Sequence, residues 1–142
     1  MTPTRLENEA ATVAYAQKLA KQIKPGLVIA LSGELGAGKS VFSRALMRAL
    51  GVTDEALPSP TFALIQTYDG KDCQVAHMDW YRLDGADEIE MLGVRDYFEP
   101  PWIAIIEWPE RAPDLLPANA IRIELKTDPD DFELRFLSHN SI

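Results

Sequence analysis

The chain has 142 residues, 46% hydrophobic and 25% charged, with a formal net charge of −8. This describes a single domain spanning 1–142, large enough to build its own core, and no apolar run approaches the ~20 residues of a membrane-spanning helix. With 14 Lys and Arg against 22 Asp and Glu, an extensive nucleic-acid footprint is excluded, because binding phosphate backbone needs many cationic contacts.

Residues 2–6 are expected to form a short edge strand. From Asn8 to Ile23, Val13, Ala16, Ala20 and Ile23 mark one face of a helix, which Lys24-Pro25-Gly26 stops. The N-terminus, MTPTRLENEA, lacks the apolar core and cleavage site of a signal peptide. The lone Cys73 rules out an internal disulfide. Both features suit a reducing cytoplasm.

Leu27 to Leu31 is an unbroken apolar run, the pattern of a buried parallel strand. It runs into Gly33-Glu34-Leu35-Gly36-Ala37-Gly38-Lys39-Ser40, the GxxxxGKS pattern of a phosphate-cradling loop, followed by Val41. The glycines permit backbone angles that turn successive N–H groups around an anion. Lys39 supplies a compact charge for β- and γ-phosphates, and the Ser40 hydroxyl is of the type that ligates Mg²⁺. Phe42, Ala45, Leu46, Ala49 and Leu50 then form the stripe of a helix packed on a sheet, with Gly51 where a terminating glycine belongs. The chain is expected to bind a nucleotide at residues 33–41.

Residues 52–60 read as a surface loop. Thr61 to Tyr68 and Cys73 to Met78 read as a hairpin turned at Asp69-Gly70. Ala86 to Leu92 is a short acidic helix, and Val94 to Phe98 a further helical turn. Glu99-Pro100-Pro101 breaks the chain before the buried strand Trp102 to Ile106. Two alternating strands, Ala120 to Lys126 and Phe132 to Leu137, close the chain. The acids in the turn between them are expected as turn formers, not metal ligands. These elements predict a three-layer α/β sandwich with a mixed sheet. Its parallel part carries the nucleotide loop at one edge, and antiparallel hairpins extend it.

Hydrolysis needs a carboxylate near the metal and an ordered water. Asp79 and Glu107 each close an apolar strand, and ligands of open α/β sheets sit beyond the carboxyl ends of strands. Thr61, after Pro58 and Pro60, stands where a switch-type threonine would reach the γ-phosphate or its metal; a strand-start threonine is the alternative. His77 shares the face of Asp79 and is expected as a hydrogen-bonded supporting histidine. Trp108 is either a core aromatic or an exposed anchor for a partner. Arg82 and Arg111 are expected in solvent. The absence of [NT]KxD gives no support for a guanine reader.

The segments LSGELGAGKS, SPTFALIQTY, HMDWYRL and IIEWPER, in that order and spacing, resemble the bacterial TsaE family, small P-loop ATPases of tRNA threonylcarbamoyladenosine biosynthesis. Ser40 stands where much of that family has threonine, which keeps the hydroxyl. The resemblance implies that residues 33–40 hold ATP, that Ser40 and Glu107 hold Mg²⁺, and that Thr61 lies in a nucleotide-responsive loop. It further implies that Asp79 activates water or holds the ion through its shell, and that Glu9 lies near the base. The implied partners are the TsaD and TsaB proteins, a complex the ATPase would remodel or reset without transferring the carbamoyl group. Two other functions share the loop: a small-molecule or nucleoside kinase, which needs an acceptor pocket and lid that 142 residues hardly accommodate, and a non-hydrolysing nucleotide-gated assembly module.

Overall fold

The computed structural model describes residues 3–58 and 64–140. The apolar run expected as a strand forms β2, Val28–Ser32. It pairs in parallel on both sides, with β5 (Trp102–Glu107) and with β6 (Ile121–Thr127). Beyond β5 lies β4 (Gln74–Asp79), also parallel, and then the antiparallel β3 (Ile65–Asp69). On the other flank β7 (Arg135–His139) returns antiparallel to β6, and β1 (Thr4–Leu6) pairs with β7. The sheet order is β1-β7-β6-β2-β5-β4-β3. The mixed sheet is as expected, with one correction: the nucleotide-loop strand is central, not an edge. An unbroken run such as Val28-Ile29-Ala30-Leu31 has no polar face to give to water, so it is suited to burial on both faces and both flanks.

Side-chain alternation sorts the sheet into two cores. Ile29, Leu31, Val75, Ile103 and Ile105 face α1 (Glu9–Ala20) and α2 (Lys39–Ala49), which pack against each other. Val28, Ala76, Met78, Ala104 and Ile106 face the opposite side. There the third layer is thinner than a helical layer. It is built from the six-residue α3 (Ala86–Met91) and from 3₁₀ turns at Val94–Phe98, Pro109–Arg111 and Pro113–Leu115. Prolines at 100, 101, 109, 113 and 117 prevent a long helix from forming in this stretch.

Local chemistry sets the element ends. Asn8 caps α1, its Oδ1 accepting from the Ala11 N–H at 2.9 Å. The helix ends at Ala20, earlier than expected, yet Ile23 still packs into the core from the turn that follows. The last strand starts at Arg135, not Phe132. Asp128 Oδ2 accepts from the N–H groups of Asp130 and Asp131, which prolongs the turn and leaves Phe132 89% exposed. These acids are turn formers, as expected.

At the end of α2, Gly51 N–H bonds Arg48 O and Val52 N–H bonds Met47 O, a Schellman closure with Gly51 at φ +98°. A Cβ on Gly51 would lie 2.5 Å from the Lys71 amide nitrogen. Gly51→Ala is therefore expected to destabilise the fold by about 1–3 kcal/mol, combining left-handed strain with overpacking. Urea unfolding checks this, and an unchanged midpoint would contradict it.

Candidate functional site

The loop between β2 and α2 is shaped by close approach. A Cβ on Gly33 would meet Leu125 O at 2.8 Å, so only glycine lets the chain leave β2 beside β6. The Ala37 N–H closes a turn onto Glu34 O, and Gly38, at φ +98°, takes the N-cap position of α2. Among the described residues no side chain caps this helix. The positive dipole end of α2 and the first-turn N–H groups that a helix leaves outside its own ladder are the equipment of an anion site. Glu34 and Leu35 form the exposed lip of the loop, Leu35 at 77%, while Ser40 and Val41 are half-buried in the first turn of α2.

Lys39 is the centre of the site. It is only 6% exposed, and its Nζ has no hydrogen-bond partner among the described residues. Burial pushes its ammonium below the usual lysine range, against the opposing pull of Glu107, Glu110 and Asp79. Nζ rests 3.6 Å from the centroid of the Trp108 ring, a cation–π contact in place of a hydrogen bond.

The two strand-end acids come together as expected. Parallel pairing sets Asp79 opposite Glu107, and Glu107 opposite Leu31, so both acids lie beside the strand that feeds the loop. Alternation along β4 and β5 turns Val75, His77 and Asp79, and likewise Ile103, Ile105 and Glu107, toward the α2 side of the sheet. His77 takes the supporting role expected of it: Nε2 lies 2.6 Å from Glu107 Oε2, with both side chains buried. Burial raises the Asp79 carboxyl above the ordinary carboxylate range. The Tyr81 N–H bonded to its Oδ1 pulls it back, Glu107 adds to the rise, and Lys39 and His77 oppose it.

Trp108 owes its position to an unusual backbone. It sits at φ 58°, ψ 50°, left-handed for a bulky residue, directly after Glu107. Such a conformation costs on the order of 1–3 kcal/mol, and the sharp turn carries the indole to Lys39. Tyr81, 43% exposed, packs on the same ring with centroids 4.8 Å apart. Arg111, exposed as expected, lies over Tyr81, its Cζ 5.3 Å from the centroid. Trp108 is thus half-buried and engaged with the site.

Glu9 opens α1 and, with Thr12, Gly38, Val41, Phe132 and Arg135, lines a cavity of about 140 Å³ at the head of α2. Thr61 lies outside the described residues. Three contributors were not apparent in the sequence. Tyr81 and Glu110 follow the strand-end acids closely enough to have been found by their spacing. Arg135, whose guanidinium bonds the carbonyls of Gly36 and Ala37, gave no local signal.

The raised Asp79 carboxyl has a consequence for stability. Its folded pKa exceeds its unfolded value, so ionising it disfavours the fold as pH rises from the ordinary carboxylate range through the raised value. Asp79→Asn removes that charge and keeps an oxygen for the Tyr81 N–H. Its gain in melting temperature over the parent is expected to be small near pH 4 and larger at pH 7. Thermal melts across that range check it, and a pH-independent difference would refute the assignment.

The comparisons agree with one another. The sequence model of the family described as "Threonylcarbamoyl adenosine biosynthesis protein TsaE" matches residues 6–135. The chain is 37% identical over 127 residues to the tRNA threonylcarbamoyladenosine biosynthesis protein TsaE of Bacillus subtilis (strain 168), covering 89% of this chain and 78% of that one. To the protein of the same name from Rickettsia bellii (strain RML369-C) it is 35% identical over 131 residues, covering 92% and 90%. The crystal structure of YdiB from Bacillus subtilis superposes with a TM-score of 0.80 at 31% identity, over 96% of this chain and 82% of that one. With this family match spanning most of its length, and a P-loop NTPase fold to accommodate it, the chain belongs to the TsaE family of tRNA threonylcarbamoyladenosine biosynthesis.

Proposed function

We propose that this chain is a cytoplasmic Mg²⁺-dependent ATPase that supports tRNA threonylcarbamoyladenosine modification by acting on the complex of the TsaB and TsaD proteins. One observation carries the reading: the Lys39 ammonium is buried at the head of α2 without an acceptor among the described residues, on the sheet side where two carboxylates end their strands. A buried charge is costly unless paired, and here the glycine loop and helix N-terminus supply the remaining parts of an anion site. The missing partner is a polyphosphate.

In this reading the backbone from Gly33 to Ser40 cradles the phosphates, and Lys39 exchanges the Trp108 face for β- and γ-phosphate oxygens. Ser40 and Glu107 are the side chains that would hold Mg²⁺, which when bound supplies neutralisation of the charge on the transferring phosphoryl group. His77 holds Glu107 by its Oε2 and so would fix the carboxylate that receives the ion. Asp79, with its carboxyl raised by burial, orients the attacking water and takes up its proton. Thr61 belongs to the segment that responds to the γ-phosphate, and Glu9 borders the cavity that receives the base. The half-exposed Tyr81 and Trp108, next to the metal acid, give a docking partner direct access to nucleotide state.

Lys39→Ala is expected to weaken Mg-ATP binding about tenfold or more, the loss of a charge-assisted contact. Glu107→Ala should lose Mg²⁺-dependent binding and turnover together, whereas Asp79→Ala should keep more of the binding and still lose turnover. Calorimetric titration alongside a phosphate-release assay checks all three; hydrolysis at the parental rate in both acid variants would end the ATPase mechanism.

The isolated chain is expected to turn over slowly, with the partners altering the rate. Pull-down of TsaB and TsaD with ATP, with ADP and without nucleotide, paired with hydrolysis assays, tests this. Retention indifferent to nucleotide, with turnover unchanged by partners, would defeat the remodelling role. Nucleotide-dependent retention without turnover would install the gated module.

A further inference from the structure

Arg135 opens β7, far along the chain from the nucleotide loop, yet its guanidinium reaches that loop. Nε donates to Ala37 O at 3.1 Å and Nη2 to Gly36 O at 3.2 Å. Nη1 donates to Phe132 O at 2.6 Å and to Leu134 O at 3.0 Å. All four acceptors are backbone carbonyls, and no salt bridge involves Arg135 among the described residues. Its planar fork binds two adjoining peptide groups of the loop on one side and the β6–β7 turn on the other, a task a single ammonium does not match.

The consequence for the loop follows from peptide geometry. In a trans peptide the C=O and N–H point in opposite directions. Holding the carbonyls of Gly36 and Ala37 against Arg135 therefore turns the N–H groups of Ala37 and Gly38 to the far side. The Ala37 N–H is taken up by the turn to Glu34 O. The Gly38 N–H is thereby aimed away from β7. A Cβ on Gly38 would lie 3.8 Å from Arg135 Nε, so the guanidinium packs directly behind this position. Gly36 and Gly38 both sit at positive φ, 83° and 98°, in a backbone that glycine leaves soft. A soft loop must be ordered when a ligand arrives, and that ordering subtracts from affinity.

We infer that Arg135 is a positioning residue that pre-shapes the phosphate loop, acting through the Gly36 and Ala37 carbonyls. The inference rests on the nucleotide-binding role proposed above. It differs from a simple field effect, in which any positive charge at position 135 would serve equally.

The test is calorimetric titration of ATP and of ADP against the parent chain, Arg135→Ala and Arg135→Lys, each first shown to be folded by its thermal melt. Both nucleotides are expected to bind about tenfold more weakly to Arg135→Ala, the effect of losing charged hydrogen bonds that hold the cradle. Arg135→Lys should share most of that loss although it keeps the charge. Guanidinium ion at tens of millimolar should restore affinity to Arg135→Ala, whereas methylammonium should not, a response that a general loss of stability would not give. Should Arg135→Ala fail to fold, Arg135→Lys carries the comparison. Parental affinity in Arg135→Ala, or full recovery in Arg135→Lys, would overturn the clamp and leave nucleotide binding standing. A parent chain that binds neither nucleotide would remove both.

Discussion

The site depends on the register of three parallel strands. Because β4, β5 and β2 pair without offset, Asp79, Glu107 and Leu31 stand side by side at one end of the sheet. A slip of one residue between β4 and β5 would send His77 and Asp79 into the opposite core and replace them with Ala76 and Met78. The alternation that buries Val75, Ile103 and Ile105 under α1 and α2 is thus the same constraint that brings the acids beneath Lys39. Packing and chemistry cannot be varied independently here, since the residues that fix the register of the core also fix the geometry of the site.

The site is electrostatically and conformationally loaded. Lys39 is depressed by burial while Asp79 is raised by it, so both groups sit in surroundings that disfavour their charged forms. Trp108 holds a left-handed backbone, and His77 Nδ1 and Ser43 Oγ are buried without partners among the described residues. These costs gather at the strand ends and in the first turns of α2, while the cores on both faces of the sheet are tightly buried. This division of labour is expected where a scaffold must supply enough stability to hold charges and strain in place for a ligand.

Much of this was legible in the sequence because it is written in local patterns. The loop has a fixed spacing, the central strands are unbroken apolar runs, and Asp79 and Glu107 betray themselves as acids closing such runs. What escaped the reading is non-local. The central place of β2 depends on pairing with β5 and β6, which are remote in sequence. Arg135 looks like an ordinary strand residue until the hairpin brings it to Gly36 and Ala37. The handedness of Trp108 has no sequence signature, because bulky residues rarely adopt it. The short acidic helix and the helical turn that cover the far face of the sheet are, by contrast, local patterns, and they lie where the sequence places them.

The central position of β2 also has a bearing on how the chain is made. Synthesis proceeds from the N-terminus at about 5–20 residues per second. Val28-Ile29-Ala30-Leu31 therefore emerges well before either of its sheet neighbours, Trp102–Glu107 and Ile121–Thr127. For roughly 4–15 seconds of translation, until β5 is complete, the most apolar strand among the described residues has no native edge to pair with. In that interval α1, which precedes the strand, and α2, which follows it directly, are the elements that can shield one of its faces. The early amphipathic helix pair thus doubles as an internal cover for the nascent strand, and the gap before β5 and β6 arrive is the period in which this chain is most exposed to aggregation.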